Sequence, residues 1–172
     1  MWTEPVSSWT SLLGKMYADP ARWTMTFQMR VLSDYMAFYA RHRDAPGVVF
    51  VERSLVSSMV FVATAIDGGT MDSDELAVYM RHHTANAWEP DRTVFIDAAP
   101  DECFRRMRAR DRPSERSVGR EYIEKLDMLY RQSQAAADIK ITPGDAQTMA
   151  ADVVRALNLA PVAPGRRHSS DF

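Results

Sequence analysis

The sequence Pro46-Gly47-Val48-Val49-Phe50-Val51-Glu52-Arg53-Ser54 holds a turn, an apolar run and then a carboxylate beside a guanidinium in nine consecutive residues. The run from Val48 to Val51 is β-branched or aromatic throughout and has no polar face. It therefore suits a strand covered on both sides, as in a parallel sheet. Thr93-Val94-Phe95-Ile96 follows the polar Glu89-Pro90-Asp91-Arg92 and reads the same way, and Ile139-Lys140-Ile141 is a shorter third candidate. Helical signals fill the intervals. Asp19-Pro20 joins an N-cap to a proline at the first helical position and opens a helix to about Arg43. Asp72 and Glu75 have the spacing of a capping box and open a helix ending near Trp88. Pro100 starts one through about Arg110; Ser117 to Gln134 and Asp145 to Leu157 supply two more, and a further helix is expected after Ser54. Strands alternating with helices predict an α/β fold, a three-layer parallel sheet with helices on both faces.

The chain has 172 residues, 46% of them apolar, which suits one domain with a real core. That domain is expected over residues 1–159. Residues 160–172 hold Pro161, Pro164, Gly165 and a polar run, and read as a disordered tail. With 21 Lys and Arg against 23 Asp and Glu, the net charge of −2 gives no global electrostatic case for nucleic acid or an anionic membrane. The one cysteine, Cys103, forms no internal disulfide and no paired-cysteine zinc site, and it suits a reducing compartment. No apolar run approaches the roughly 18–20 residues of a membrane span. Residues 1–20 contain Glu4 and Asp19 and lack a basic start followed by an apolar core, so no signal peptide is expected. The expectation is an intracellular, cytoplasmic protein.

Ligands of open parallel sheets bind beyond the carboxyl ends of the strands. There the run 48–51 ends in Glu52-Arg53-Ser54. A carboxylate and a guanidinium at that place cost desolvation energy unless paired or used on a ligand. Glu52 could hold a metal ion and Arg53 could orient an oxyanion or a hydroxyl; the alternative is a structural ion pair capping a strand. Residues 101–120 carry seven arginines against four acidic residues. Arg106, Arg110 and Arg112 could converge on one multiply charged phosphate, which the guanidinium fork suits, or they could belong to a solvated basic helix. Near the amino terminus, Trp9 and Phe27 could stack on a flat ring, and Gln28 could pair bidentately with a base edge. The alternative for Trp9 and Phe27 is ordinary core.

Together these clusters resemble the deoxynucleoside kinases. Glu-Pro-Val-x-x-Trp at 4–9, Leu-Leu-x-x-Met-Tyr-x-Asp-Pro at 12–20, Trp-x-Met-x-Phe-Gln at 23–28, Glu-Arg-Ser at 52–54 and Arg-x-Arg-Pro-Ser-Glu at 110–115 stand in that family's order, over roughly residues 3–133. The resemblance implies transfer of the ATP γ-phosphoryl, with Mg²⁺, to the 5′-hydroxyl of a deoxynucleoside. It implies Glu4 as general base, Arg53 as the group that holds the hydroxyl and the base, and Trp9, Phe27 and Gln28 around the nucleobase. Tyr17 and Glu115 would grip the 3′-hydroxyl, and Met16, Val31 and Tyr35 would line the pocket. Arg106, Arg110 and Arg112 would neutralise the transferring phosphoryl, and Glu52 would stand near Mg²⁺. Phe61 is the candidate phenylalanine over the base, one residue earlier than the family's. Where purine- and cytidine-preferring members carry an Arg–Asp pair, this chain has Tyr35 and Ser58, which favours thymidine or a broad pyrimidine range. A homodimer is implied by the resemblance alone.

The family's Gly-x-x-x-x-Gly-Lys-Ser/Thr phosphate loop is expected some 20–25 residues before Glu-Pro-Val, whereas Glu4 is the fourth residue here. Gly14-Lys15 is followed by Met16 and is not such a loop. The expectation is an incomplete reading of a longer gene or a degenerate copy, with no useful ATP-dependent activity from residues 1–172 alone. Two alternatives stand beside the kinase: a non-catalytic remnant that binds nucleoside or a partner subunit, and a nucleoside monophosphate kinase. Glu-Pro-Val-x-x-Trp with Phe-Gln argues against the latter.

Overall fold

The helix starts follow from local hydrogen bonding. In the computed structural model, which describes residues 1–133 and 137–159, Asp19 caps helix α2 (Pro20–His42) by accepting from the Arg22 amide. Asp72 and Glu75 form a complete capping box on α4 (Ser73–Ala85). Pro100 is the first residue of α5 (Pro100–Arg110). The remaining helices are α1 (Val6–Ala18), α3 (Leu55–Asp67), α6 (Arg120–Ser133) and α7 (Ala146–Ala156). Helix α1 was not among the expected helices, although Trp9, Leu12, Leu13 and Met16 repeat at helical spacing behind Pro5. The helix expected from Ser117 begins at Arg120. Ahead of it, Pro113–Glu115 forms a 3₁₀ turn, and Arg108 donates to the carbonyls of Arg116 and Val118, holding that segment out of the helix.

Residues 1–91 and 99–133 form the described part of one unit, built on helices. Within it α1 packs on α2 and on the 3₁₀ turn, α2 on α3 and α4, and α3 on α6. The core joins Trp9, Leu13, Phe27, Val31, Leu32, Tyr35, Leu55, Val62 and Tyr79. One face of α2 supplies Thr24, Phe27, Gln28, Val31, Leu32, Tyr35 and Phe38, all buried. The strand expected at 48–51 is reduced to one parallel bridge, Trp2 to Val51, with Trp2 N donating to Phe50 O and Glu52 N to Trp2 O. Val48, Val49 and Phe50 are exposed. Their β-branched and aromatic side chains favour extended backbone, but a ladder needs a partner strand, and in this unit only Trp2 supplies one.

Residues 92–98 and 137–159 form the described part of the second unit. Here strands β1 (Val94–Ile96) and β2 (Ile139–Ile141) pair in parallel, with Val94 opposite Ile139 and Ile96 opposite Ile141, and α7 packs on β2. Both expected strands are present. The expected three-layer sheet is corrected to a two-stranded one among the described residues. Ile96 is exposed, so β1 is not covered on both faces. The tail expected at 160–172 lies outside the described residues.

Candidate active site

Arg53 occupies the left-handed region with φ of 64°. That backbone is costly for a long side chain, on the order of 1–2 kcal/mol, and persists only where surrounding contacts enforce it. It lies in the turn between the Trp2–Val51 bridge and α3. Its Nη1 donates to both oxygens of Glu4, at 2.9 Å to Oε2 and 3.2 Å to Oε1. The Glu4 side chain is 7% exposed and the Arg53 side chain 42%. Tyr35, from the buried face of α2, donates its hydroxyl to Glu4 Oε1 at 2.8 Å and lies 3.0 Å from the Glu52 carbonyl oxygen. The Glu4 amide donates to Glu52 Oε2 at 3.1 Å. The two ends of the bridged segment are thus tied through side chains 48 and 49 residues apart.

Aromatic rings surround this pair. The Arg53 guanidinium lies 5.1 Å from the Phe61 ring centroid, and Tyr130 meets Phe61 edge-on. The Tyr130 hydroxyl is buried, with Ser57 beside it. Burial pushes the Tyr35 phenol well above its ordinary range, and the Glu4 charge and hydrogen bond add to this. Burial likewise raises Tyr122, with Tyr17 adding to it, and raises Tyr130 against the opposing field of Arg53. Tyr17 is raised by burial and then by the Glu115 carboxylate. Tyr122 and Tyr130 were not singled out in the sequence. They sit eight residues apart on α6, and that spacing on an amphipathic helix was the available signal.

Glu115 is 12% exposed and accepts from Arg110 at 2.8 Å and from Arg112 at 3.2 Å. Arg106 does not join them; its Nε donates to Glu102, which Arg105 also grips. Two of the three arginines expected to meet therefore do so, and the group on which they meet is a carboxylate. Hydrogen bonds from Arg105 and Arg106 hold the Glu102 carboxyl down to about 2.

Trp9 and Phe27 meet edge-on at 6.1 Å within the core, with Met16 and Tyr17 packed against the same cluster. The Trp9 indole donates to Asp34 Oδ2, which also takes Arg30. Asp34 was not foreseen, since nothing in its neighbours marks it. Gln28 is 5% exposed, on the buried face of α2. Ser58 is 3% exposed and committed within the protein: it donates to the Leu55 carbonyl and accepts from Tyr79. A surface hollow of about 220 Å³ lies elsewhere, lined by Trp2, Pro5, Ser8 and the α2 residues Arg30, Asp34, Phe38 and Arg41 among others. It includes neither Gln28 nor Arg53. Gly14-Lys15 lies inside α1, with Lys15 over the Trp23 ring, and so forms no phosphate loop.

Glu4, Arg53, Tyr17, Glu115 and the Trp9–Phe27–Gln28 face thus lie in one unit, and the motif order noted in the sequence extends through it. The deoxynucleoside kinase family model matches residues 1–158. The chain belongs to the deoxynucleoside kinase family. Among relatives of this family, a fowlpox virus protein described as a probable deoxycytidine kinase is 32% identical over 140 residues, 72% of this chain and 56% of its own. Deoxycytidine kinase of Bos taurus is 30% identical over 129 residues, 67% of this chain and 50% of its own. The chain spans about half the length of these two kinases. A solved deoxyadenosine kinase from M. mycoides, with the products dCMP and a flexible dCDP bound, superposes with a TM-score of 0.78 at 18% identity, over 91% of this chain and 84% of that one. That similarity shows that the chain shares the fold of this family member. Among the described residues no helix is long and apolar enough to cross a membrane.

Proposed function

We propose that the protein transfers the γ-phosphoryl group of ATP to the 5′-hydroxyl of a deoxynucleoside, with thymidine and other pyrimidines favoured. The observation that carries this reading is the Glu4 carboxylate, gripped by Arg53 and Tyr35 on the same α2 face that presents Gln28. Tyr35 and Gln28 are two helical turns apart, about 10 Å along the axis. That spacing suits a ligand with a hydroxyl at one end and a base edge at the other.

In this reading Glu4 takes the proton from the 5′-hydroxyl as the phosphorus–oxygen bond forms. Arg53 holds the hydroxyl and the developing charge. Gln28 reads the base between Trp9 and Phe27, with Met16, Val31 and Phe61 along the walls. Tyr17 and Glu115 hold the 3′-hydroxyl. Arg110 and Arg112 neutralise the transferring group. With Tyr35 and Ser58 both committed to hydrogen bonds inside the protein, Gln28 is left as the polar reader of the base, which supports a pyrimidine preference. Mg²⁺ bound with ATP supplies charge neutralisation at the β- and γ-phosphates. The exposed Glu52 carboxylate fits that ion, because Mg²⁺ takes hard oxygen ligands and commonly only one or two from protein. The family resemblance adds a second copy of the chain as partner.

A second reading, a nucleoside-binding protein without transfer, is favoured by the helical state of Gly14-Lys15. Phosphate transfer from labelled ATP to thymidine and deoxycytidine, by residues 1–172 and by a version extended upstream, measured beside equilibrium binding of the same nucleosides, separates the two. Transfer supports the kinase, binding without transfer supports the second reading, and neither result leaves a nucleoside site standing if both signals are absent.

A further inference from the structure

We infer that Tyr35 is a positioning residue for Glu4, saturating Oε1 so that Oε2 is the oxygen left for a substrate hydroxyl. The inference rests on the proposed nucleoside-kinase reading and adds to it a role for a residue expected only to line the pocket.

A carboxylate oxygen offers two acceptor positions. Glu4 Oε1 fills both, with the Tyr35 hydroxyl at 2.8 Å and Arg53 Nη1 at 3.2 Å. Oε2 takes Arg53 Nη1 alone, at 2.9 Å, and keeps one position open. The direction of the Tyr35 bond is fixed by its surroundings. Its two oxygen neighbours, the Glu4 carboxylate and the Glu52 carbonyl, are acceptors, so the phenol is the donor, and its one proton goes to the nearer and charged Glu4 Oε1. The ring is 1% exposed and packs on Trp2 at 5.1 Å, which leaves it little freedom to turn away. Arg53 alone would not fix the carboxylate, because one nitrogen reaches both oxygens and the group can pivot about that contact. The second anchor on Oε1 removes the pivot. Tyr35 is thus the device that aims the base, while Arg53 supplies the charge.

The test compares thymidine and deoxycytidine with their 5′-deoxy counterparts, which lack the hydroxyl, in calorimetric binding to the wild-type protein and to Tyr35→Phe. The phenylalanine keeps the ring and removes only the donor. The 5′-deoxy compound, which has no hydroxyl to meet Glu4, reports any general cost of the substitution. The wild-type protein is expected to prefer the 5′-hydroxyl compound by about tenfold or more, as for a hydrogen bond to a charged group. In Tyr35→Phe that preference should fall below about threefold, the loss falling on the 5′-hydroxyl compound. Equal weakening of both compounds, or a preference left intact, overturns the inference and leaves the proposed function standing. A wild-type protein that binds the paired compounds equally also overturns it, because Glu4 then does not meet the hydroxyl. Binding of neither compound by the wild-type protein overturns the proposed function and the inference together.

Discussion

The Trp9 indole nitrogen donates to Asp34 Oδ2 at 2.6 Å, joining α1 to α2 across 25 residues of sequence. Trp9 is 3% exposed, so its N–H has little access to water once Asp34 is gone. Asp34→Ala is expected to cost about 1–3 kcal/mol, the penalty of an unmade bond at a buried donor. Asp34→Asn keeps an acceptor and should cost less. Urea unfolding of the two variants provides the comparison, and equal stabilities would show that the indole does not depend on this carboxylate.

Glu4→Gln keeps the shape of the side chain and removes the base. In a chain extended upstream to supply a phosphate loop, turnover is expected to fall by roughly 10²–10⁴-fold, while nucleoside affinity changes far less. The two arms are a phosphate-transfer assay and equilibrium binding. An unchanged rate constant removes Glu4 from the mechanism.

Gln28 gives a test in which function and stability part. Leucine is close to glutamine in volume at this 5% exposed position, so Gln28→Leu should cost less than about 1.5 kcal/mol of stability. The same change should weaken deoxynucleoside binding at least about tenfold, through loss of the hydrogen-bonding edge. Thermal melting and calorimetry read the two arms. A destabilised variant with normal binding would return Gln28 to the core.

The tyrosines set an alkaline limit. Tyr17, Tyr35, Tyr79, Tyr122 and Tyr130 all have phenols raised above the ordinary value of 10.0, chiefly by burial. A raised folded value means that the unfolded chain releases these protons first. The stability linked to them is therefore complete below about pH 10 and is lost as pH rises above it. Tyrosinate absorbance should appear together with loss of the helical circular-dichroism signal. Ionisation of these phenols with the helical signal intact would contradict it.

How far the sequence could be read depended on the range of the interactions. Asp19 with Pro20, Asp72 with Glu75, and Asp145 mark helix starts because a cap is made with residues two or three positions away. The strands at 94–96 and 139–141 were legible from their β-branched content. The run 48–51 carried the same signal and failed as a ladder, because composition specifies an extended backbone but not the neighbour that pairs with it. The order of short motifs, from Glu-Pro-Val to the arginine-rich segment, was enough for the family.

The sequence by itself determined every described helix but α1, the strands at 94–96 and 139–141, the family and the candidate residues, since each depends on local spacing or on residue identity. Only the tertiary structure decided what those residues do to one another. It gave the Tyr35 hydroxyl to Glu4 across 31 residues, Glu115 to Arg110 and Arg112, Asp34 to Trp9, and Tyr122 and Tyr130 to the surroundings of Arg53. It also spent Ser58 on Tyr79. A side-chain donor has many acceptors of equal chemistry along the chain, and which one it meets is set by how the helices pack.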